Sequence, residues 1–165
     1  VYKYAHQIET DFSVDKIDEW ISSLKDKLQT LDSFINLFKN IGYSKRWGLY
    51  NDSKAKERCK LVLELIEQYV SKREVNMDVT IEHILPDCQS VENAQIGNLF
   101  LLEEPLNHRC EDKPLSEKFA IYDESSLMCP RGFTKRYQHK EFKPAERTTF
   151  LARFIYNNVL GIDLN

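Results

Sequence analysis

The spacing of apolar residues changes character at Val75, which limits the chain to a helical first part and a mixed second part. From Ser13 to about Asn40, Ile17, Trp20, Ile21, Leu24, Leu28, Leu31, Ile35 and Phe38 follow the i, i+3, i+4, i+7 spacing of one helical face. Ser13 suits the N-cap, Asp15 falls in the first turn, and Gly42 is the expected left-handed stop. A second helix is predicted over about 52–73, with Cys59, Val62, Ile66, Tyr69 and Val70 on its buried stripe. The connection from Gly42 to Tyr50 lets the two helices form an antiparallel hairpin. No catalytic constellation falls in this region, 1–75, and its charges suit the solvated faces of packed helices.

Beyond Val75 the run Val79-Thr80-Ile81-Glu82-His83-Ile84-Leu85 is rich in β-branched residues and reads as a strand that Pro86 ends. A polar loop with one helical turn is expected over 87–95. Gly97-Asn98 then introduces Leu99-Phe100-Leu101-Leu102, a second run of strand length. Pro105 opens a helix with Asn107 in its first turn, and Leu115, Phe119 and Tyr122 share a face of another. A last helix begins at Pro144, buries Phe150, Leu151, Phe154 and Ile155, and ends at Gly161. The expected fold class is α+β, mostly helical.

With 165 residues, 42% hydrophobic and 30% charged, the chain suits one compact body with little disordered linker. A net charge of -3 argues against indiscriminate coating of nucleic acid, which needs many clustered cations. Cys59, Cys88, Cys110 and Cys129 are widely spaced without a C-x-x-C pair, so reduced structural thiols in a cytoplasmic protein are expected rather than disulfides or a zinc knuckle. No segment approaches the ~20 apolar residues that span a bilayer. The lack of an initiator Met suits a piece of a longer polypeptide.

Glu82 and His83 are adjacent on a strand and point to opposite faces, so they can serve one site only where the strand end is twisted or broken, as Pro86 allows. Alone, such a pair is more often a surface carboxylate beside a hydrogen-bonded structural imidazole, and would support no function. The ordered set Ile81-Glu82-His83-Ile84-Leu85-Pro86, Ile96-Gly97-Asn98-Leu99-Phe100-Leu101-Leu102 and Leu106-Asn107, with Lys113, Phe119 and Tyr122 beyond, says more. It resembles the HNH (His-Me finger) nuclease domain at the C-terminus of GmrSD-type modification-dependent restriction enzymes and their relatives, including SspE-like phosphorothioate-sensing proteins. The match is close over about Thr80 to Tyr122 and looser in the C-terminal helix with Arg147 and Arg153.

The resemblance implies an N-terminal helical hairpin packed on a ββα-metal nuclease core, with the nuclease domain at 76–165. His83 is then the general base, an imidazole being suited to proton transfer near neutral pH. Glu82 and Asn107 are the expected ligands of a single Mg²⁺ or Mn²⁺, a carboxylate and a neutral oxygen leaving room for water and phosphate. Asn98 is expected to brace the loop that carries His83, or simply to cap the turn after Gly97. Many members have His where Asn107 stands. His108 follows immediately, but lies about 100° away around a helix axis, so only one of the two faces the site.

Double-stranded DNA is the expected partner. Lys113, Lys118, Lys135, Arg136, Lys140 and Arg147 are candidate phosphate contacts, the last four in a segment that equally suits a solvated charged face. The resemblance further implies an N-terminal ParB-like nucleotide-hydrolysing sensor domain, absent here, and a role in bacterial defence against foreign DNA. Two sites, as in a homo-oligomer, or two successive nicks are needed to cut both strands. The alternative is a catalytically inactive DNA-binding or subunit-interaction module on the same fold.

Overall fold

The computed structural model describes residues 19, 29–75, 78–111 and 113–161. The chain divides into two compact units, 1–33 and 34–165. In the first, Ser33 donates its backbone N–H to Thr30 Oγ1 (3.3 Å) and its hydroxyl to Gln29 (2.8 Å), closing the start of a helix.

Six α-helices and two strands follow among the described residues: α1 Leu31–Phe38, α2 Ala55–Ser71, β1 Val79–His83, β2 Leu99–Glu103, α3 Glu104–Cys110, α4 Leu115–Asp123, α5 Met128–Tyr137 and α6 Pro144–Phe154. The fold is α+β and mostly helical, as expected. Helix α6 continues as a π turn over Ile155–Val159, and Gly161 has φ +61° just beyond it. No described helix is long and apolar enough to cross a membrane.

The first predicted helix differs from expectation at both ends. Gln29 and Thr30 are not helical, so it is not continuous to Asn40; its part over 13–28, and the hairpin that depends on it, lie outside the described residues. Gly42 is no left-handed cap either. It pairs with Gln95 as an isolated bridge, and a Cβ there would sit 2.4 Å from both Ala94 O and the Tyr50 ring. Close approach of backbone and ring, rather than a turn, requires glycine at this point.

Strands β1 and β2 are antiparallel, with Val79 opposite Glu103 and His83 opposite Leu99. A two-stranded ribbon is marginal in water, so its stability must come from the helices covering it. Ile84, Phe100, Leu102, Cys110, Ile121, Tyr122, Phe133 and Phe142 form one buried cluster. Phe133 is its hub, with ring centroids 4.9 Å from Phe142, 4.7 Å from Tyr137 and 5.6 Å from Phe100.

Helix α5 was not apparent from sequence, because Pro130 and Gly132 break the expected pattern. Proline is tolerated in the first turn, where no intrahelical N–H partner is lost. The start of α5 is held from outside: the buried Glu67 of α2 accepts from Met128 N (2.7 Å) and Cys129 N (2.9 Å). A carboxylate at a helix N-terminus satisfies orphan donors and complements the dipole. Glu67, not Val70, thus continues the buried stripe of Cys59, Leu63 and Ile66, and Val70 is exposed. Phe150, expected inside, is exposed too, with the Arg136 guanidinium 4.5 Å from its ring.

Replacing Glu67 with Ala strands two N–H groups and should cost about 1–3 kcal/mol in urea unfolding. Glu67→Gln, which keeps one acceptor, should lose less. Equal stability of Glu67→Ala and wild type would show that water serves α5 as well.

Candidate functional site

The end of β1 opens into a cleft of ≈360 Å³ lined by Glu82, His83, Asn107 and Lys118, with Arg46 and Asp87 on its rim. Residues from β1, α3, α4 and the segment before α2 therefore meet at one place. The strand stops at His83, the bond from Ile84 N to Asn98 O (2.9 Å) continues its pairing by one step, and Glu82 and His83, adjacent in the chain, both line the cleft.

His83 is half-buried, and its Nε2 lies 2.8 Å from Tyr43 O. A carbonyl only accepts, so Nε2 carries the proton and Nδ1 is left with the basic lone pair. The Tyr43 ring lies alongside, 6.1 Å between centroids. Tyr43 lay in a stretch read only as a connection; because the contact uses its backbone carbonyl, no residue type could have signalled it.

Glu82 turns inward and is 4% exposed. Its Oε1 accepts from Lys118 Nζ (2.8 Å) and Tyr122 OH (2.9 Å), and Lys118 also donates to His83 O (2.9 Å). Burial holds the Glu82 carboxyl above the usual carboxylate range, opposed by the Lys118 ammonium and the two hydrogen bonds. The same burial pushes the Tyr122 hydroxyl upward, with the Glu82 charge adding to it. Oε2 accepts no hydrogen bond from the described residues, and Glu82 lines the cleft.

Lys118 is therefore not a DNA contact. It is 2% exposed, and its ammonium is spent on Glu82 and His83 O, which corrects the expectation from sequence. The missed signal was spacing: Lys118 and Tyr122 stand i, i+4 on one face of α4, a polar pair set among apolar neighbours.

Asn107 donates from Nδ2 to Thr80 Oγ1 (2.7 Å) and Ile81 O (3.2 Å). The Ile81 carbonyl can only accept, so that contact demands the amide NH₂ and leaves Oδ1 directed elsewhere, and Asn107 lines the cleft. His108 does not. It is exposed, 3.6 Å from Glu104, and lines a separate cavity with Arg109 and Lys113.

Asn98 is fully buried and acts as a brace. Its Oδ1 accepts from Leu85 N (2.9 Å), while Nδ2 donates to Leu85 O and Asn93 O (2.7 Å each), pinning the loop that follows His83. Before it, Gly97 lies against α6: a Cβ there would be 2.1 Å from Pro144 O. Glu111, also on the cleft, has φ 26°, a backbone state that costs a non-glycine residue about 1–3 kcal/mol and is found mostly near functional sites.

The remaining predicted contacts lie elsewhere. Lys135 and Lys140 are exposed in and just after α5, and Arg136 stacks on Phe150; none of them lines the cleft. Arg147 is buried, with Nη1 donating to Gly97 O and Leu99 O (2.8 Å each) and its guanidinium over the Phe100 and Phe133 rings. Burial brings it down to about 10. It fastens α6 to the start of β2 and is not placed to hold a phosphate, a second correction. Cys88 is exposed at the cleft, so it is no core residue, whereas Cys110 is buried and pushed up to about 12.

Among the described residues no group of three or more His, Cys, Asp or Glu is placed to hold a metal ion. Glu82 Oε2 and Asn107 Oδ1 are hard oxygens on this cleft, which Asp87 and Glu111 also line, and such a set fits an ion that keeps several waters.

The sequence model described as "GmrSD restriction endonucleases, C-terminal domain" matches residues 28–154. The chain belongs to this family. It is thereby assigned to the C-terminal part of restriction endonucleases, enzymes that act on DNA. No curated protein and no solved structure gives a significant match to it.

In this GmrSD C-terminal domain, Lys118→Met should cost about 3–5 kcal/mol, because it leaves the Glu82 carboxylate buried without its ammonium. The double change Lys118→Met/Glu82→Gln, which keeps an acceptor for Tyr122, should recover most of that loss in urea unfolding. The pH dependence has a definite sign. Without Lys118 the Glu82 carboxyl rises further, the folded chain holds its proton more tightly than the unfolded one, and the deficit of Lys118→Met shrinks as pH falls through the raised pKa. A deficit independent of pH would mean that packing, not charge, is what Lys118 supplies.

Proposed function

We propose that this chain is a metal-dependent DNA endonuclease of the HNH, ββα-metal class. The observation that supports it best is the cleft where β1, β2 and α3 succeed one another. There His83 has its Nε2–H tied to a carbonyl, beside one open carboxylate oxygen of Glu82 and one open amide oxygen of Asn107.

His83 Nδ1 takes a proton from a water molecule as its oxygen attacks phosphorus. The P–O3′ bond breaks, the 3′ oxygen takes a proton from solvent, and the products are a 5′-phosphate and a 3′-hydroxyl. Tyr43 O fixes the tautomer, and Asn98 holds the loop behind the imidazole. Glu82 Oε2 and Asn107 Oδ1 would hold Mg²⁺ or Mn²⁺, which when bound would stabilise charge on the phosphoryl and leaving oxygens. One site cuts one strand, so a double-strand break takes two sites or two nicks. In the complete protein, an N-terminal ParB-like nucleotide-hydrolysing domain would sense modified DNA and license cutting, in the cytoplasm of a bacterium defending itself against foreign DNA. The helical region before 76 would serve as its support.

One observation favours a second reading, an inactive DNA-binding or subunit-interaction module: the carboxylate that would bind the ion already has an ammonium partner. Supercoiled-plasmid cleavage with Mg²⁺ or Mn²⁺ separates the two. Nicking should occur and should fall by about 10²–10⁴ in His83→Ala. Asn107→Ala should weaken Mn²⁺ binding in calorimetry, measured below the melting temperature of the variant, which loses the bonds to Thr80 and Ile81. Metal-dependent cleavage equal in wild type and His83→Ala would sink the role of His83, and no Mn²⁺ site in the presence of DNA would favour the inactive module.

A further inference from the structure

A second cleft, of ≈500 Å³, adjoins the first and shares Arg46, Ile81, His83 and Asp87 with it. Lys45 and Lys56 line it as well, so three exposed cations border the cleft that holds the imidazole. Among the described residues, the ion pair on this wall is the long contact of Arg46 Nε with Asp87 (3.7 Å). Asp87 is itself engaged by the Ser44 hydroxyl (2.6 Å). Glu57 is the other acid close enough to act on Tyr43. We infer that this wall, Lys45, Arg46 and Lys56, is where duplex DNA is held, its phosphates flanking the one presented to His83. The inference rests on the nuclease reading and names the substrate-binding surface of the same site.

Two features argue that these cations are not merely a solvated face. Lys56 lies in the first turn of α2, a helix of 17 residues, where a cation opposes the helix dipole and lowers helix stability. Charge placed against the dipole gains when an anion lies beside it, since a helix start and a lysine both attract phosphate. The second feature is mechanical. Tyr43 O holds His83, the buried Ser44 hydroxyl accepts from Arg46 N (3.0 Å), and Asn51 donates to Lys45 O (3.1 Å). The backbone that carries Lys45 and Arg46 is thus continuous with the carbonyl that holds the His83 imidazole, which fixes these two cations relative to it.

The basic segment after α4 has neither property. Lys135, Arg136 and Lys140 border neither cleft, and Arg136 is stacked on Phe150 beside an apolar groove.

The test is fluorescence anisotropy of a labelled duplex in EDTA, where binding is read without cleavage. The whole chain is compared with Lys45→Glu/Arg46→Glu/Lys56→Glu and with Lys135→Glu/Arg136→Glu/Lys140→Glu, each checked by thermal melting. The first triple variant should weaken binding at least tenfold more than the second and flatten the log–log salt dependence by roughly two to three, at about 0.9 for each phosphate that is no longer neutralised. A neutral triple, Lys45→Gln/Arg46→Gln/Lys56→Gln, should flatten the salt dependence to the same extent. Equal or greater weakening in the second triple, or no duplex binding by wild type, overturns the inference. The nuclease reading fails separately: a chain whose binding depends on Lys45, Arg46 and Lys56 but which never nicks plasmid keeps the surface and loses the activity.

Discussion

Everything around the cleft hangs on one buried carboxylate. Glu82 sits under the sheet with Lys118 and Tyr122 on a single oxygen, and Lys118 reaches on to the carbonyl of His83. That three-way contact fixes α4 to the end of β1, and so decides where the strand stops and where His83 lies. A buried pair of this kind seldom adds net stability, because desolvating two charges offsets their attraction. Its physical value here is geometric. A wrong register of β1 on β2 by one residue would turn Glu82 outward and bury an uncompensated Lys118, so the pair penalises the slip that short two-stranded ribbons are prone to.

The second support works through backbone groups. Asn98 spends every polar atom of its side chain on the loop that follows His83, and Tyr43 contributes a carbonyl to the imidazole. Such bonds tolerate little movement, because Asn98 is fully buried and breaking any of them would leave a polar atom unmet. Gly97 and Gly42 belong to this framework for want of space, one against α6 and the other against the Tyr50 ring. Arg147 completes it by holding two carbonyls at the start of β2. Orientation of the His83 imidazole is thus built from outside the strand that carries it.

The strand, loop, strand and helix order was readable because each element has a local cause: β-branched residues before Pro86, Gly97-Asn98 before an apolar run, Pro105 at a helix start. Glu82, His83, Asn98 and Asn107 were grouped by the resemblance of their ordered motifs to a family, since the local pattern alone reads Glu82-His83 as a surface carboxylate beside a structural imidazole. What escaped notice depends on distant partners. Helix α5 has Pro130 and Gly132 inside it and exists because Glu67, some sixty positions earlier, meets its first amides. Lys118 and Arg147 read as surface cations, since a sequence shows charge but not the carboxylate or carbonyls that allow its burial. Val70 and Phe150 erred in the opposite sense, because an apolar stripe says which face is buried but not how far the covering elements extend.

Charge explains how the proposed ion and substrate depend on one another. The charged side chains lining the cleft are Glu82, Asp87 and Glu111 against Arg46 and Lys118, a small net negative charge, and Glu82 is already matched by the Lys118 ammonium. A divalent cation gains little there by Coulomb attraction alone, and Lys118 opposes it. A phosphate brought to the same place reverses the balance, adding negative charge and oxygen ligands where the protein supplies few. The cation wall at Lys45, Arg46 and Lys56 would bring that phosphate, and its reach is short, since exposed charges are screened within about 8 Å at physiological salt. On a chain of net charge -3 such a wall attracts DNA only at close range. On the proposed reading, ion and phosphate would each bind more tightly in the presence of the other, so the site would assemble on DNA already delivered and stay weak toward metal without it.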